Sequence, residues 1–181
     1  MIVTYLEMRS PQYHGSRLPD GVRFEPFAAD VESYRALFRR VGQEWLWYGR
    51  LRMPAAELAA TLAHPDVHLF TLTKAGKPEA LLELDFRVQG ACELAYFGLT
   101  DALIGSGAGA YLMDRAVERA FETGIKRFHV HTCTIDSPRA LGFYRRSGFT
   151  AVRQEVEIDD DPRVSGLLPS HAGPHVPLIR S

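Results

Sequence analysis

The sequence predicts an α+β fold, in which a mixed, mostly antiparallel sheet carries helices on both faces. Three apolar, strand-like runs follow one another between Val67 and Leu99 with only short turns between them. This order is typical of an antiparallel meander rather than of repeated βαβ units. Two amphipathic helical patterns then alternate with two further strand patterns as far as Ile158.

The composition predicts one globular domain spanning residues 1–181. The chain is 46% hydrophobic and 24% charged, and its net charge of −1 arises from 21 basic and 22 acidic residues. This balance gives no electrostatic reason to expect nucleic acid or an anionic membrane as a partner. Residues Met1–Met8 lack the basic leader of a signal peptide, so we expect a cytoplasmic protein.

The first third of the chain contains two strand patterns and two helix patterns. Met1–Met8 and Val22–Phe27 are predicted strands. Asp30 is the expected N-cap of a helix that ends at Gly42. A second helix is predicted over Pro54–Ala63, with proline at its start.

The segment between these helices, Glu44–Arg52, contains both tryptophans of the chain beside two arginines. Aromatic side chains at this density either fill the edge of the core or line a pocket. Arg50 and Arg52 could each pair with a carboxylate of a substrate. Both interpretations of the aromatic residues remain open from the residues alone.

The central strands are predicted over Val67–Thr73, Ala80–Val88 and Ala91–Leu99, and later ones over Lys126–Thr134 and Thr150–Ile158. In Ala80–Val88, apolar residues alternate with charged ones, which predicts that one face of this strand lies in water. A turn is expected between Val67–Thr73 and Ala80–Val88. From about residue 159 to 181 we expect an extended segment along the surface or against a partner subunit of a homodimer.

A glycine-rich stretch connects the Ala91–Leu99 strand to a helix. It contains Gly105, Gly107 and Gly109 just before an amphipathic run. Glycine lets backbone approach a ligand closely, and the free N–H groups of a helix start attract an anion, so phosphate is the expected ligand. A plain flexible loop is the alternative.

A second motif lies at Asp136–Phe149. Together the two stretches resemble the GCN5-related N-acetyltransferase (GNAT) superfamily, whose acetyl-CoA loop reads Q/R-x-x-G-x-G/A and whose later helix reads N-x-x-A-x-x-x-Y before a Gly-Phe pair. Gly107 and Gly109 match the small-residue positions of the loop, and Ala140 and Tyr144 match the helix. Gly148 and Phe149 match the closing pair.

Two positions depart from the family pattern: Ile104 replaces the usual Gln or Arg, and Ser137 replaces the usual Asn. The resemblance implies a sheet splayed between Ala91–Leu99 and Lys126–Thr134, and an enzyme that uses acetyl-CoA. The residues that it implies for acetyl-CoA binding are Phe97, Gly98, Leu99, Ile104, Gly105, Ser106, Gly107, Ala108, Gly109, Ser137 and Ala140.

Catalysis by such an enzyme needs a base for the amine and an acid for the leaving thiolate. The resemblance implies Glu93 as the base and Tyr144 as the acid. Strict alternation would place Glu93 on one face with Ala95, Phe97 and Leu99. The alternative for Glu93 is an edge or cross-strand ion pair, with ordered water and strand carbonyls taking the proton as the resemblance also allows. A buried, hydrogen-bonded phenol is the alternative for Tyr144.

The resemblance also places the segment between the first two helices at the acceptor site. Trp45, Trp47, Tyr48 and Arg50 are therefore the expected acceptor-binding residues. We expect a small-molecule or amino-acid-like amine as acceptor. A CoA-binding sensor without catalysis and an acetyltransferase for protein N-termini are the alternatives.

The remaining histidines and cysteines give weaker signals. His129 and His131 alternate in one strand and share a face, but no carboxylate or cysteine at a suitable spacing completes a metal site, so we expect no metal. Cys92 and Cys133 lie in predicted strands and are expected to act as small hydrophobic residues, with a nucleophilic role as the alternative.

Overall fold

The computed structural model describes residues 1–179 of the chain. Within this range eight strands share one sheet: β1 (Ile2–Met8), β2 (Val22–Pro26), β3 (Val67–Lys74), β4 (Lys77–Pro78), β5 (Ala80–Asp85), β6 (Ala91–Leu99), β7 (Arg127–Cys133) and β8 (Thr150–Val156). The α-helices are α1 (Val31–Gly42), α2 (Gly49–Arg52), α3 (Ala55–Leu62), α4 (Ala108–Glu122) and α5 (Ala140–Arg146).

The strands are ordered β2-β3-β5-β6-β7-β1-β8, and β4 pairs with β3 alone. Every neighbouring pair is antiparallel except β6 and β7, which run parallel. The predicted mixed, mostly antiparallel sheet is therefore confirmed.

The parallel pair of strands separates soon after it begins. Pairing starts at Ala91 with Arg127 and ends at Glu93 with His129. Beyond that point β6 continues to Leu99 beside β5, while β7 continues to Cys133 beside β1. The predicted splay of the sheet between these two strands is confirmed, and it opens a wedge-shaped cleft between them.

Each face of the sheet is covered by helices, as predicted. On one face, α4 and α5 bury residues such as Leu112, Val117 and Tyr144 against the sheet. On the other face, residues such as Phe38 of α1 and Leu58 of α3 pack on Leu81 of β5. Burial of these apolar side chains stabilises both layers and fixes the two sides of the cleft.

Local interactions fix the ends of α1. The Ser33 N–H donates to Oδ1 of Asp30 at 2.8 Å, which confirms the expected N-cap. The helix ends at Gly42, where an added Cβ would lie 2.5 Å from the Trp47 side chain. Glycine is therefore required there because Trp47 folds back over the end of the helix.

The prediction of one wet face on Ala80–Val88 is wrong. The strand ends at Asp85, because the Arg87 N–H donates to Oδ1 of Asp85 at 3.0 Å and turns the chain. Helices cover both faces of this strand, and the Glu83 side chain is 0% exposed. The alternating pattern predicted the wrong environment because Glu83, although charged, does not face water. It is buried beside an ionic partner.

The C-terminal segment, expected to extend along the surface or a partner subunit, instead folds back onto the chain. Leu168 and Ala172 are buried in the same core cluster as Leu37 and Phe38 of α1. The buried guanidinium of Arg163 donates to the carbonyls of Ala172, Gly173 and Val176. Arg180 and Ser181, which end this segment in the sequence, lie outside the described residues.

Candidate active site

A cavity of about 940 Å³ occupies the cleft where β6 and β7 diverge. The free edge of β6 from Leu94 to Leu99 forms one wall, and His131 and Cys133 of β7 contribute to the opposite wall. An unpaired strand edge offers backbone N–H and C=O groups to a ligand that lies along it.

The cavity brings together most of the residues expected from the sequence. Those that line it are Trp45, Trp47, Tyr48, Phe97, Gly98, Leu99, Ile104, Gly105, Gly109, Ser137, Ala140 and Tyr144. Those that do not are Arg50, Glu93, Ser106, Gly107 and Ala108. The roles of all these residues toward a ligand stay predictions.

The glycine-rich loop ends in the first turn of α4. Gly105 and Gly107 have φ values of +78° and +87°, which favour glycine, and an added Cβ at either would meet open space. Within residues 1–179 the N–H groups of Gly107 and Gly109 have no hydrogen-bond acceptor. These free donors at a helix start suit an anion.

Ser106 and Ala108, which neighbour these glycines, stabilise the conformation of the loop. The Ser106 hydroxyl donates to the Leu103 carbonyl at 2.6 Å and accepts the Ala108 N–H at 3.3 Å. The Ala108 side chain is fully buried. Ser106 and Ala108 thus hold the loop in shape, and their side chains do not reach the cavity.

The two departures from the family pattern both lie at the cavity. Ile104 is 51% exposed, so an apolar side chain stands in the loop where the family has a hydrogen-bonding one. The Ser137 hydroxyl accepts the Arg139 N–H at 3.4 Å. Arg139 and Arg146 of the second motif also line the cavity and bring positive charge to the part of it beside Ser137.

Tyr144 lies at the cavity in a cluster of aromatic rings. Its ring is 6.5 Å from that of Phe97 and 5.7 Å from that of Phe143, centroid to centroid. Burial raises the pKa of Tyr144, so its phenol holds its proton at neutral pH. It can donate that proton to a group in the cavity.

The segment Glu44–Arg52, the aromatic connector, forms another side of the cavity. The Trp47 ring packs against Phe38 and Tyr96, and its indole N–H donates to Oδ1 of Asp136 at 3.1 Å. Trp47 therefore serves the core and the cavity together. Trp45 packs against His175 of the C-terminal segment, with centroids 5.4 Å apart.

Tyr48 and Arg50 from the same connector meet carboxylates of the protein. The Tyr48 hydroxyl donates to Asp159, and burial together with this bond raises the pKa of Tyr48 to about 12. Arg50 donates to Glu83, which also accepts the hydroxyl of Tyr34. Because the Arg50 guanidinium is directed into this buried cluster, the structure does not bring it to the cavity where substrate binding was expected.

Glu93 does not lie on the face expected from alternation. The register of β6 against β5 shifts between Glu83 and Leu84, where Ala95 is the extra residue of a bulge. Phe97 and Leu99 pack toward α4, whereas Glu93 lies on the opposite face. The expected face was wrong because one unpaired residue, Ala95, reverses the alternation of β6.

On that face Glu93 contacts the second histidine of the pair singled out in the sequence. Oε1 of Glu93 lies 3.5 Å from Nδ1 of His131. This contact lowers the pKa of Glu93 and raises the pKa of His131. His131 lines the cavity and Glu93 lies behind it.

Sequence reasoning missed several residues of the cavity wall: His131, Asp136, Glu157, Asp159, Asp160 and Asp161. The acidic run after β8 was visible in the sequence, but no local signal indicates that the C-terminal segment folds back over the cleft. The shared face of His129 and His131 was recognised. What was missing was the short parallel pairing that brings Glu93 to them.

The cysteines remain thiols at neutral pH. Burial raises the pKa of both Cys92 and Cys133, which disfavours the nucleophilic thiolate. Within residues 1–179, no group of three or more His, Cys, Asp or Glu side chains is arranged to hold a metal ion. In that same range no helix has the length and apolar character to cross a bilayer.

Comparison with known proteins identifies the family. The model of the Acetyltransferase (GNAT) family matches residues 31–149, so the chain belongs to this family of acetyltransferases. Mycothiol acetyltransferase from Jonesia denitrificans is 33% identical over 66 residues, which are 36% of this chain and 21% of that protein. The chain thus matches only about a fifth of that relative's length.

Solved structures share the fold. A GCN5-related N-acetyltransferase from Sphaerobacter thermophilus aligns with a TM-score of 0.63 at 12% identity, covering 84% of this chain and 49% of that one. An aminoglycoside acetyltransferase from an uncultured soil metagenomic sample, in complex with trehalose, aligns with a TM-score of 0.61 at 18% identity. That alignment covers 78% of this chain and 96% of the other.

Proposed function

We propose that this protein transfers the acetyl group of acetyl-CoA to a primary amine of a small molecule, by direct attack while both substrates are bound. One observation carries the proposal: a single cavity is lined by the glycine loop, by Tyr144 and by the aromatic connector. Direct transfer requires the thioester and the amine to meet in one space, held in a reactive orientation.

The donor is proposed to enter at the glycine-loop end. The free N–H groups of Gly107 and Gly109 suit the diphosphate, and Arg139 and Arg146 supply positive charge for phosphate groups nearby. The pantetheine arm would then lie along the free edge of β6, where unpaired backbone groups can bind its amides. The thioester oxygen would accept a backbone N–H near Leu99.

The acceptor is proposed to be a cation when it arrives. An alkyl ammonium group has a pKa of about 10.4, so it is charged at neutral pH. Glu157 and Asp160 line the cavity, and such carboxylates attract a cationic group. Arg50 and Arg52, once expected to meet a substrate carboxylate, are paired with Glu83 and Asp159, which favours an amine without a carboxylate.

The similarity to an aminoglycoside acetyltransferase supports a small, amine-bearing acceptor, although the likeness at 18% identity establishes only the fold. A single domain, a cytoplasmic location and a homodimer stay predictions. A CoA-binding module without catalysis and an acetyltransferase for protein N-termini are the outcomes that the second experiment below separates from this proposal.

Acetyl-CoA binding is tested by thermal unfolding. A ligand that binds only the folded state adds about 2.7 kcal/mol at a hundredfold excess over its Kd, so the melting temperature should rise. Gly105→Val and Gly107→Val should remove this rise. Gly90→Val is the matched control, because Gly90 also has a positive φ and open space but lies in the turn before β6, at the opposite end of that strand from the glycine loop. An equal rise in all three variants would overturn the phosphate site.

Turnover is tested by measuring CoA release with a panel of amines, amino acids and peptides. We expect release with small polyamines and amino sugars, in step with formation of the acetylated amine. Release with peptides alone would indicate an N-terminal acetyltransferase. A protein that binds acetyl-CoA but releases CoA with no acceptor would be a binding module.

A further inference from the structure

The wall of the cavity contains a histidine and carboxylate pair at the point where the sheet opens. Glu93 is the last residue of β6 that pairs with β7, and His131 follows two residues beyond the end of that pairing. Oε1 of Glu93 and Nδ1 of His131 are 3.5 Å apart. The His131 side chain is 50% exposed and lines the cavity, whereas Glu93 does not reach it.

The contact with Glu93 favours the imidazole tautomer that carries its proton on Nδ1. When Nδ1 carries the proton and points at a carboxylate, Nε2 keeps its lone pair and accepts protons. Nε2 lies on the opposite side of the ring from Nδ1, away from Glu93. A carboxylate behind the ring also stabilises the imidazolium that forms when Nε2 takes up a proton.

We propose that His131 is the base that removes a proton from the acceptor amine, and that Glu93 is a positioning residue that orients and stabilises the imidazole. The proposal rests on the acetyl transfer proposed above and assigns one of its steps. It differs from the assignment expected from the sequence, in which Glu93 itself received the proton.

The ammonium of the acceptor gives one proton to Nε2 of His131, and the neutral amine forms a bond to the thioester carbon. The carbon–sulfur bond breaks, and the thiolate takes the proton of the Tyr144 hydroxyl. The second proton on the amide nitrogen returns to Tyr144, and His131 releases its proton to water. The products are the amide, CoA as a thiol and one proton.

The environment of His131 contains several other charged or titratable groups. Tyr5 of β1 lies beside it with ring centroids 5.9 Å apart, and His129 precedes it on the same face of β7. The nearby carboxylates of Glu93, Asp136 and Glu157 each raise the pKa of His131, with Glu93 the largest cause, and burial acts in the opposite direction. The histidine is therefore more basic than an isolated imidazole.

The pH dependence of kcat/KM separates the two assignments. His131 must be neutral to act, so activity should rise as the pH increases through its pKa. Glu93→Gln removes the largest cause of the raised pKa, so the acidic limb should move to lower pH while kcat falls. His131→Gln should lower kcat by about 10² to 10⁴ and remove the limb, with acetyl-CoA binding retained.

A matched control comes from the same strand. His129 pairs with Glu93 in the sheet register and shares the face of His131, but it does not line the cavity. His129→Gln should keep kcat within a few fold of the unsubstituted protein. If Glu93→Gln removes the limb and His131→Gln leaves it intact, Glu93 is the base and the proposal is wrong.

An NMR titration tests the pair without turnover. The ring signals of His131 should titrate at higher pH in the unsubstituted protein than in Glu93→Gln, and His131→Gln assigns them. Equal titration in both proteins would overturn the role of Glu93. If the pair titrates as expected but no amine is acetylated, the proposed acetyl transfer fails while the coupling of the two residues stands. Full turnover by a folded His131→Gln protein would overturn the base assignment alone.

Discussion

The indole N–H of Trp47 donates to Oδ1 of Asp136 at 3.1 Å and so connects the aromatic connector to the loop that follows β7. Oδ2 of the same aspartate accepts the Thr132 hydroxyl and the Cys133 N–H, at 2.7 and 3.0 Å. One carboxylate therefore joins the two sides of the cavity. The bond spans the cleft that the splayed strands open.

Removing the indole should separate the structural and binding roles of Trp47. Trp47→Phe keeps a ring against Phe38 but deletes the N–H, so we expect a loss of about 1 kcal/mol of stability. The KM for the amine should rise, and that for acetyl-CoA should change little. Trp47→Ala leaves a large cavity and should cost about 3 kcal/mol. A Trp47→Phe protein with unchanged amine KM would assign the residue to core packing alone.

Gly98 should tolerate no side chain, because an added Cβ would lie 2.4 Å from Cγ1 of Val41. Gly98→Ala should therefore cost about 1 to 3 kcal/mol through overpacking, as measured by chemical unfolding. Val41→Ala removes the obstructing methyl group. The Gly98→Ala, Val41→Ala double variant should lose less free energy of unfolding than the two single variants lose together. Losses that simply add would contradict the steric explanation.

The two arginines of α2 should differ sharply in their effects on stability. Arg50→Ala leaves the fully buried Glu83 without its cation, which should cost about 3 to 5 kcal/mol. Arg52→Ala breaks only a half-exposed pair with Asp159 and should cost about 1 kcal/mol or less. Equal melting temperatures for the two variants would show that the buried ion pair is not formed as described.

The buried guanidinium of Arg163 should control the acceptor end of the cavity. It donates to Asp161 at 2.7 Å and to four carbonyls of the C-terminal segment, those of Ala172, Gly173, Val176 and Pro177. Arg163→Ala should loosen this segment, which supplies Asp160 and Val176 to the cavity wall. We expect a higher KM for the amine with the acetyl-CoA KM unchanged. Parallel increases in both constants would indicate general loss of structure.

The sequence predicted the elements well where periodicity and capping were clear. Asp30 caps α1 as expected, and the amphipathic run after the glycine-rich stretch forms α4. The antiparallel meander of β3, β5 and β6 followed from the short turns between the strand patterns, and the splay followed from the resemblance that the two motifs carry. These features depend on local signals or on a resemblance that covers the motifs themselves.

The features that were missed depend on contacts distant in sequence. A bulge at Ala95 places Glu93 on the opposite face of the strand. The residue types around Ala95 do not indicate that a bulge forms there. Glu83 was assigned to water because its partners Tyr34 and Arg50 come from other elements. The C-terminal segment folds back because Arg163 and Leu168 find buried partners, which a polar and proline-containing sequence does not indicate.

We propose that acetyl transfer takes place in the cleft with Tyr144 as the acid. The most direct measurement compares Tyr144→Phe with the unsubstituted protein, following labelled acetyl groups from acetyl-CoA to the amine. We expect both proteins to bind acetyl-CoA equally, with kcat for the variant lower by about 10² to 10⁴ across the whole pH profile. Full turnover by the variant would contradict the role of Tyr144, and transfer to no amine by either protein would contradict acetyl transfer itself.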